Sequence, residues 1–204
     1  MAIKERKERE RQDMRNLIID SATQLFLKQG YDKTSIRTIA EDIEYSPATI
    51  YLYFKDKDEI FYVIHENAFA LLDKQFRKHD GIENAFDRLI AVCKTYVKFA
   101  MDNPDYYDLM FIMRAPLSQI KSEEKWDAGE CAFEYVVDTI AACLEANLIK
   151  PMDKYVLAIS VWCFGHGLVS LYVRERLSIM DMPNDVMLHM MESSVNFFLE
   201  NLRV

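Results

Sequence analysis

Between Ser46 and Lys57 the chain reads SPATIYLYFKDK, and its reactive-looking side chains are hydroxyls, phenols and ammoniums: Ser46, Thr49, Tyr51, Tyr53, Lys55 and Lys57. None has a base placed to make it a nucleophile. All are hydrogen-bond donors suited to an oxygen-rich partner, and a phenol or ammonium beside a groove can donate to phosphate oxygens without reading sequence. Packed aromatics are the competing reading for Tyr51 and Tyr53, because rings on an arbitrary helix are buried more often than they act. Elsewhere there is no nucleophile–base pair, no metal-ligand spacing and no phosphate-cradling glycine loop, so an enzyme is not expected and no cofactor or metal is implied.

The elements that must position these donors are helices. Only five glycines and five prolines occur in 204 residues, apolar residues recur at three and four positions, and no segment alternates as a strand. A first helix is expected from about Glu8 to Lys28 with Leu17, Ile18, Ala22, Leu25 and Phe26 on one stripe, ended by Gly30. Thr34 is a candidate N-cap for a short helix through Ile36, Ile39, Ala40 and Ile43, followed by a tight turn at Glu44 and Tyr45. Ser46 caps the next helix, with Pro47 at its first position where no donor is missed, and this helix is expected to reach Phe54. Asp56 and Glu59 have capping-box spacing and open a longer helix through Leu72. Further helices are expected over residues 82–101, 105–113, 122–148, 153–177 and 184–202, for a total of about nine in an all-α protein. The organisation expected is a three-helix domain over residues 1–60 and a larger helical domain over residues 61–204.

Two short helices joined by a tight turn, the second with a capped N-terminus, make a helix-turn-helix whose second helix enters the major groove of DNA. Small residues at that N-terminus, Ser46, Pro47, Ala48 and Thr49, allow close approach to bases, while Ile50 and Phe54 turn back towards Ile39, Ile43 and Phe26. The segment TSIRTIAEDIEYSPATIYLYFKDKDEI closely resembles the DNA-binding signature of the tetracycline-repressor (TetR) family, with Thr34, Arg37, Ile39, Ala40, Ser46, Thr49, Tyr51, Phe54 and Lys57 at matching places. The match departs at Glu44, where the family has glycine, and at Tyr53, where histidine is common. The segment NPDYYDLMF, with Trp162, His166 and Gly167, resembles one C-terminal subgroup of the same family.

The resemblance implies a homodimer that binds double-stranded operator DNA through N-terminal heads and an effector through its helical body. Base contacts would fall on Arg37, Pro47, Ala48 and Thr49, and phosphate contacts on Ser35, Ser46, Tyr51, Tyr53, Lys55 and Lys57. An aromatic and methionine-rich set in the body, Tyr96, Phe99, Tyr107, Met110, Phe111, Trp126, Phe133, Trp162 and His166, reads either as core or as a pocket for a small hydrophobic or amphipathic effector. For His166, a structural hydrogen bond is the alternative to an effector contact. The dimer interface would fall on the last two long helices, on Val161, Leu168, Val169, Tyr172, Met187, Met190, Met191, Ser194, Phe197 and Phe198. A DNA-binding structural factor without an effector is the rival class.

Charge and cysteine usage fit this picture. The net charge is −8, yet residues 1–60 carry 11 basic against 12 acidic side chains, so most of the acidity lies beyond the helix-turn-helix. The arm KERKERER could touch flanking DNA, although its interleaved glutamates also suit a solvated helix start. Cys93, Cys131, Cys143 and Cys163 are widely scattered and read as reduced core thiols. The charged N-terminus does not read as a signal peptide, and no run of about 18 apolar residues is apparent, so a cytoplasmic location without membrane contact is expected.

Overall fold

The computed structural model describes residues 2–113 and 127–204. Among them are nine α-helices: α1 (Ala2–Gln29), α2 (Ile36–Asp42), α3 (Pro47–Ile50), α4 (Lys57–Phe76), α5 (Ala85–Asp102), α6 (Pro104–Tyr107), α7 (Asp127–Glu145), α8 (Lys154–Val173) and α9 (Asn184–Glu200). No strand occurs among these residues, only an isolated antiparallel bridge between Ile149 and Arg203. The chain divides into two compact units, one running to Ala68 and resuming at Tyr107, the other comprising Phe69–Tyr106 and Asp127–Val204.

In the first unit α1, α2 and α3 close on a small core. Ile18, Ala22 and Phe26 recur every fourth residue on α1 and are fully buried, together with Ile39 and Ala40 of α2, Ile50 of α3 and Phe54 just beyond it. Leu17, expected on the same stripe, is exposed instead, and Leu25 is half-buried. Phe26, Tyr31 and Phe61 pack edge to face or tilted with ring centroids 5.3–5.6 Å apart. Offset rings of this kind are favoured by their quadrupoles. Ser21 on α1 donates to Asp42 Oδ2 at 2.7 Å and ties α1 to the end of α2.

The caps correct two expectations. Ser35, not Thr34, caps α2: its hydroxyl accepts from Thr38 N–H while Thr38 Oγ1 accepts from Ser35 N–H. Thr34 is buried and donates to the Gly30 carbonyl at 2.9 Å, so it closes the α1 terminus rather than opening α2. Ser46 caps α3 as expected, but α3 is one turn long and continues to Phe54 only as a series of turns. Asp56 caps α4 by accepting from Glu59 N–H at 2.9 Å, and the Glu59 carboxylate reaches back one residue further than a capping box requires, to Lys55 N–H.

Glu44 occupies the left-handed region at φ 60°, where glycine is usual. Its N–H donates to Glu41 O and the Tyr45 N–H to Ala40 O, the paired bonds of a Schellman turn that ends α2. A side chain held in this region costs about 1 kcal/mol. Glu44→Gly is therefore expected to raise unfolding free energy by about 1 kcal/mol and the melting temperature by roughly 2–4 °C. A melting temperature that falls would mean that the carboxylate makes up for the strain.

The remainder of the first unit is the end of α6 and the π-helical segment Asp108–Ile112. A straight helix over residues 105–113 is not formed; the wider turn brings the Met110 carbonyl to 3.3 Å from Nε2 of the buried His65 on α4. Burial lowers the His65 pKa, only partly opposed by that carbonyl, so the ring stays neutral at neutral pH.

In the second unit α5 is central and packs against α7, α8 and α9. Phe86, Leu89, Val92, Phe99 and Ala100 of α5 meet Val137 and Ile140 of α7, Leu157, Ala158 and Val169 of α8, and Val195 and Leu199 of α9 in its core. Asn84 caps α5 by accepting from Phe86 and Asp87 N–H, and Asp153 caps α8 in the same way. The four cysteines are free, but only Cys143 is fully buried and Cys131 and Cys163 are exposed, so the expectation of four core thiols fails for those two. Burial pushes Cys143 up to about 11 and Cys93 to about 12, which keeps both protonated.

The helix α8 overturns a further expectation. It is long and apolar enough, by length and composition, to cross a membrane, yet only 28% of its apolar stretch is buried in the protein. Because α8 is apolar on every side, periodicity in its sequence does not say which stripe faces inward.

Candidate nucleic-acid interface

The helix-turn-helix leaves most of its predicted DNA contacts exposed for a local reason. Ile50 and Phe54 are one helical turn apart and both are buried, which leaves Ser46, Pro47, Ala48, Tyr51 and Lys55 exposed around α3. Ser35 and Arg37 are exposed at the start of α2. Thr49 and Tyr53 are half-buried: the Thr49 hydroxyl lies 3.0 Å from Ser46 Oγ, and the Tyr53 carbonyl accepts from Arg15 Nη1 at 3.0 Å. Tyr51 is 58% exposed, so the packed-aromatic reading does not hold for it.

Arg37 is held by Glu41, with Nε donating to Oε1 at 2.8 Å. That hydrogen bond, then the carboxylate charge, raises the guanidinium pKa. Both partners are exposed, and exposed pairs one turn apart are weakly held. Arg37 can therefore exchange Glu41 for a base edge or a phosphate.

Lys57 has partners that the local sequence does not indicate. Its Nζ donates to the Tyr31 carbonyl at 2.9 Å and the Thr34 carbonyl at 3.0 Å, and sits 3.9 Å from the Tyr31 ring centroid. Desolvation lowers its pKa, against the attraction of Asp32. Two carbonyls and a ring hold this ammonium, which staples the start of α4 to the α1–α2 connection. The Tyr31 hydroxyl donates to the Asp58 carboxylate beside it.

Sequence reasoning missed Arg15. Besides the bond to Tyr53 O, its guanidinium lies 4.3 Å from the Phe54 ring centroid, so α1 holds the far end of the recognition segment by a cation–π contact and a hydrogen bond. Nothing in the local motif points to a residue so far upstream; only the helix packing does.

In the second unit, Tyr96 and Phe99 are buried on α5, and the Tyr96 hydroxyl lies 3.3 Å from His166 Nδ1 on α8. The close approach exists because Gly165 has no side chain: a Cβ there would meet the Tyr96 ring at 3.3 Å. Burial lowers the His166 pKa. Phe133 and Trp162 face each other with centroids 6.0 Å apart. Tyr107, Met110 and Phe111 belong to the first unit, where Tyr107 is fully buried and stacks at a tilt on Phe111. Trp126 lies outside the described residues.

The proposed dimer residues are sorted differently from expectation. Val161, Val169, Met187 and Met191 are buried in their own unit, and Phe198 stacks on Phe164 with centroids 4.2 Å apart. Leu168, Tyr172 and Ser194 are half-buried, whereas Met190 and Phe197 are exposed. The large exposed apolar side chains on α8 are Tyr155, Val156, Ile159, Trp162 and Leu171, joined on α9 by Val186.

Comparison with known proteins now decides the family. Residues 18–63 match the model of bacterial regulatory proteins of the tetR family, and residues 89–194, more than half the chain, match the tetracyclin repressor-like C-terminal domain. The chain belongs to the TetR family. It is 26% identical over 157 residues to the HTH-type transcriptional regulator HbdR of Aromatoleum sp. (strain CIB), covering 76% of this chain and 69% of that one. It is 25% identical over 150 residues to IcaR of Staphylococcus epidermidis, described as the HTH-type negative transcriptional regulator of the biofilm operon icaADBC, covering 72% and 73% respectively. The TetR family regulator PfmR from Thermus thermophilus shares the fold with a TM-score of 0.70 at 16% identity, over 90% of this chain and 97% of that one. The TetR-family chain is thus a helix-turn-helix transcriptional regulator of all-helical fold.

Proposed function

We propose that this TetR-family regulator is a repressor that binds a palindromic operator as a homodimer and is released by a small hydrophobic or amphipathic effector. Residues 1–60 act as the reading head and residues 61–204 as the effector-binding and dimerising body. The observation that carries the reading is the sidedness of the helix-turn-helix, with Ile39, Ile50 and Phe54 buried and Ser35, Arg37, Ser46, Pro47, Ala48, Tyr51 and Lys55 turned to solvent. Arg37, Pro47, Ala48 and Thr49 contact bases; Ser35, Ser46, Tyr51, Tyr53 and Lys55 contact phosphate. Such a regulator works in the cytoplasm, where its DNA is.

Selection of DNA fragments by the purified protein tests the head. Enrichment of an inverted repeat supports the reading, and retention of DNA without sequence preference counts against it. Tyr51→Phe combined with Lys55→Ala is expected to weaken binding to such a fragment and to lower the slope of log affinity against log salt by about one to two. An unchanged slope would remove Lys55 from the phosphate contacts, and an unchanged affinity would remove both residues.

The body senses the effector through a coupling free energy, set by how differently the effector binds the DNA-competent and DNA-incompetent arrangements. Around Tyr96, Phe99, Phe133, Trp162 and His166 the second unit offers aromatic surface with one neutral, half-buried imidazole, which suits a mostly apolar ligand with a single polar group. Trp162, His166 and Gly167 on α8, which carry the resemblance to one C-terminal subgroup of the family, are assigned to this part of the body. Thermal-shift screening with metabolites, followed by operator binding in the presence of each hit, separates an effector-driven regulator from a DNA-binding factor that has none.

The dimer interface is assigned to the exposed apolar side chains of α8 and α9, with Ile159, Met190 and Phe197 at its centre. The support is physical: a helix as apolar as α8 with so little of it buried needs a cover. A second copy supplies one of the same character.

A further inference from the structure

The recognition segment carries an exposed apolar side chain that its hydrogen-bonding groups leave unexplained. Past α3 the chain continues as helix-like turns, in which the Tyr51 N–H donates to the Pro47 carbonyl at 3.2 Å and the Phe54 N–H to the Ile50 carbonyl at 3.0 Å, both four residues back. With 3.6 residues per turn, the buried pair Ile50 and Phe54 fixes which side faces the core. Ala48 and Leu52, also four apart, then stand about 180° from that pair and form the outermost ridge of the segment. Leu52 is 74% exposed, more than any other large apolar residue described in the first unit. Ser46, Ala48, Tyr51 and Lys55 of the same segment are exposed as well.

We propose that Leu52 is a specificity residue that recognises a thymine by packing its isobutyl group against the 5-methyl in the major groove. The inference rests on the reading of α3 as the groove-entering helix. On that reading the ridge opposite the core penetrates deepest, and what stands there meets base edges before it meets phosphate. Leucine has no donor or acceptor to offer. The one base-edge feature in the major groove that an aliphatic group matches is the thymine methyl, whereas against the polar edges of guanine, cytosine or adenine it strips water and returns no hydrogen bond. Ala48 beside it is too short to crowd the groove, so the leucine can reach the floor.

The test uses the full-length protein and a duplex enriched by it from random-sequence DNA at fixed salt. Each thymine of the enriched half-sites is replaced in turn, symmetrically, by deoxyuridine, which lacks only the methyl. One replacement is expected to weaken wild-type binding roughly three- to tenfold and to leave Leu52→Ala, measured on the same pair of duplexes, without a difference. Because Leu52 is a surface residue, Leu52→Ala retains the thermal unfolding of the parent. If no deoxyuridine duplex separates the wild type from Leu52→Ala while the enriched duplex still binds, the assignment is overturned and the head reading stands. A Leu52→Ala loss equal on thymine and uracil duplexes overturns it too, because the contact is then with sugar or phosphate. Failure to enrich any sequence overturns the head reading and the inference with it.

Discussion

Ile159→Asp together with Phe197→Asp is expected to convert the protein to a monomer and to weaken operator binding by at least about a hundredfold. Both side chains are exposed in the isolated chain, Phe197 at 74%, so aspartate at either place leaves the unit's own core untouched. In the dimer the same carboxylates would be stripped of water against apolar neighbours, and an unpaired buried charge costs several kcal/mol. Loss of the second head removes the gain from binding two half-sites at once, typically a factor of about 10²–10⁴. Sedimentation reads the mass, and far-UV circular dichroism with thermal unfolding shows whether the chain remains folded. A variant that is still a dimer would move the interface to another surface. The corresponding changes at Val161 or Met191, which are buried within the chain, are expected to unfold it rather than separate two copies.

The second large effect is in the reading head. Phe54→Ala is expected to destabilise the protein by about 3–5 kcal/mol and to abolish operator binding in proportion. The ring is 1% exposed, sits among the helices of the first unit, and carries the Arg15 guanidinium at 4.3 Å. Removing it opens a cavity, withdraws the cation–π contact, and frees the end of the recognition segment that Arg15 also holds through the Tyr53 carbonyl. Urea unfolding measures the loss; a change below about 1 kcal/mol would show that the site collapses without cost. Tyr51→Phe is the matched control, since that ring is mostly in solvent and its substitution leaves stability alone.

What is legible in the sequence follows from how local each signal is. Ser46 as cap and Pro47 at the first helical position depend on three or four neighbouring residues, and both are realised. Ile50 and Phe54 are readable as core because four-residue spacing defines a helix face whatever lies opposite. The cap of α2 is ambiguous by one residue because Thr34 and Ser35 carry equivalent hydroxyls. Only the Gly30 carbonyl, reached by the Thr34 side chain, separates them.

Other departures share a different cause. Lys57 looks like the surface lysines in sequence, but the carbonyls that hold it lie at Tyr31 and Thr34, more than twenty residues away in the chain. Arg15 is the reverse case, a residue with no local signature whose partners at Tyr53 and Phe54 exist only once α1 lies against α3. The sequence by itself determined the all-helical class, the helix-turn-helix and its inward face, because periodicity, caps and turns are properties of neighbouring residues. Only the tertiary structure decided which stripe of the uniformly apolar α8 is buried, which carbonyls hold Lys57, and that Leu52 is exposed, because burial depends on what a distant segment brings to the same place.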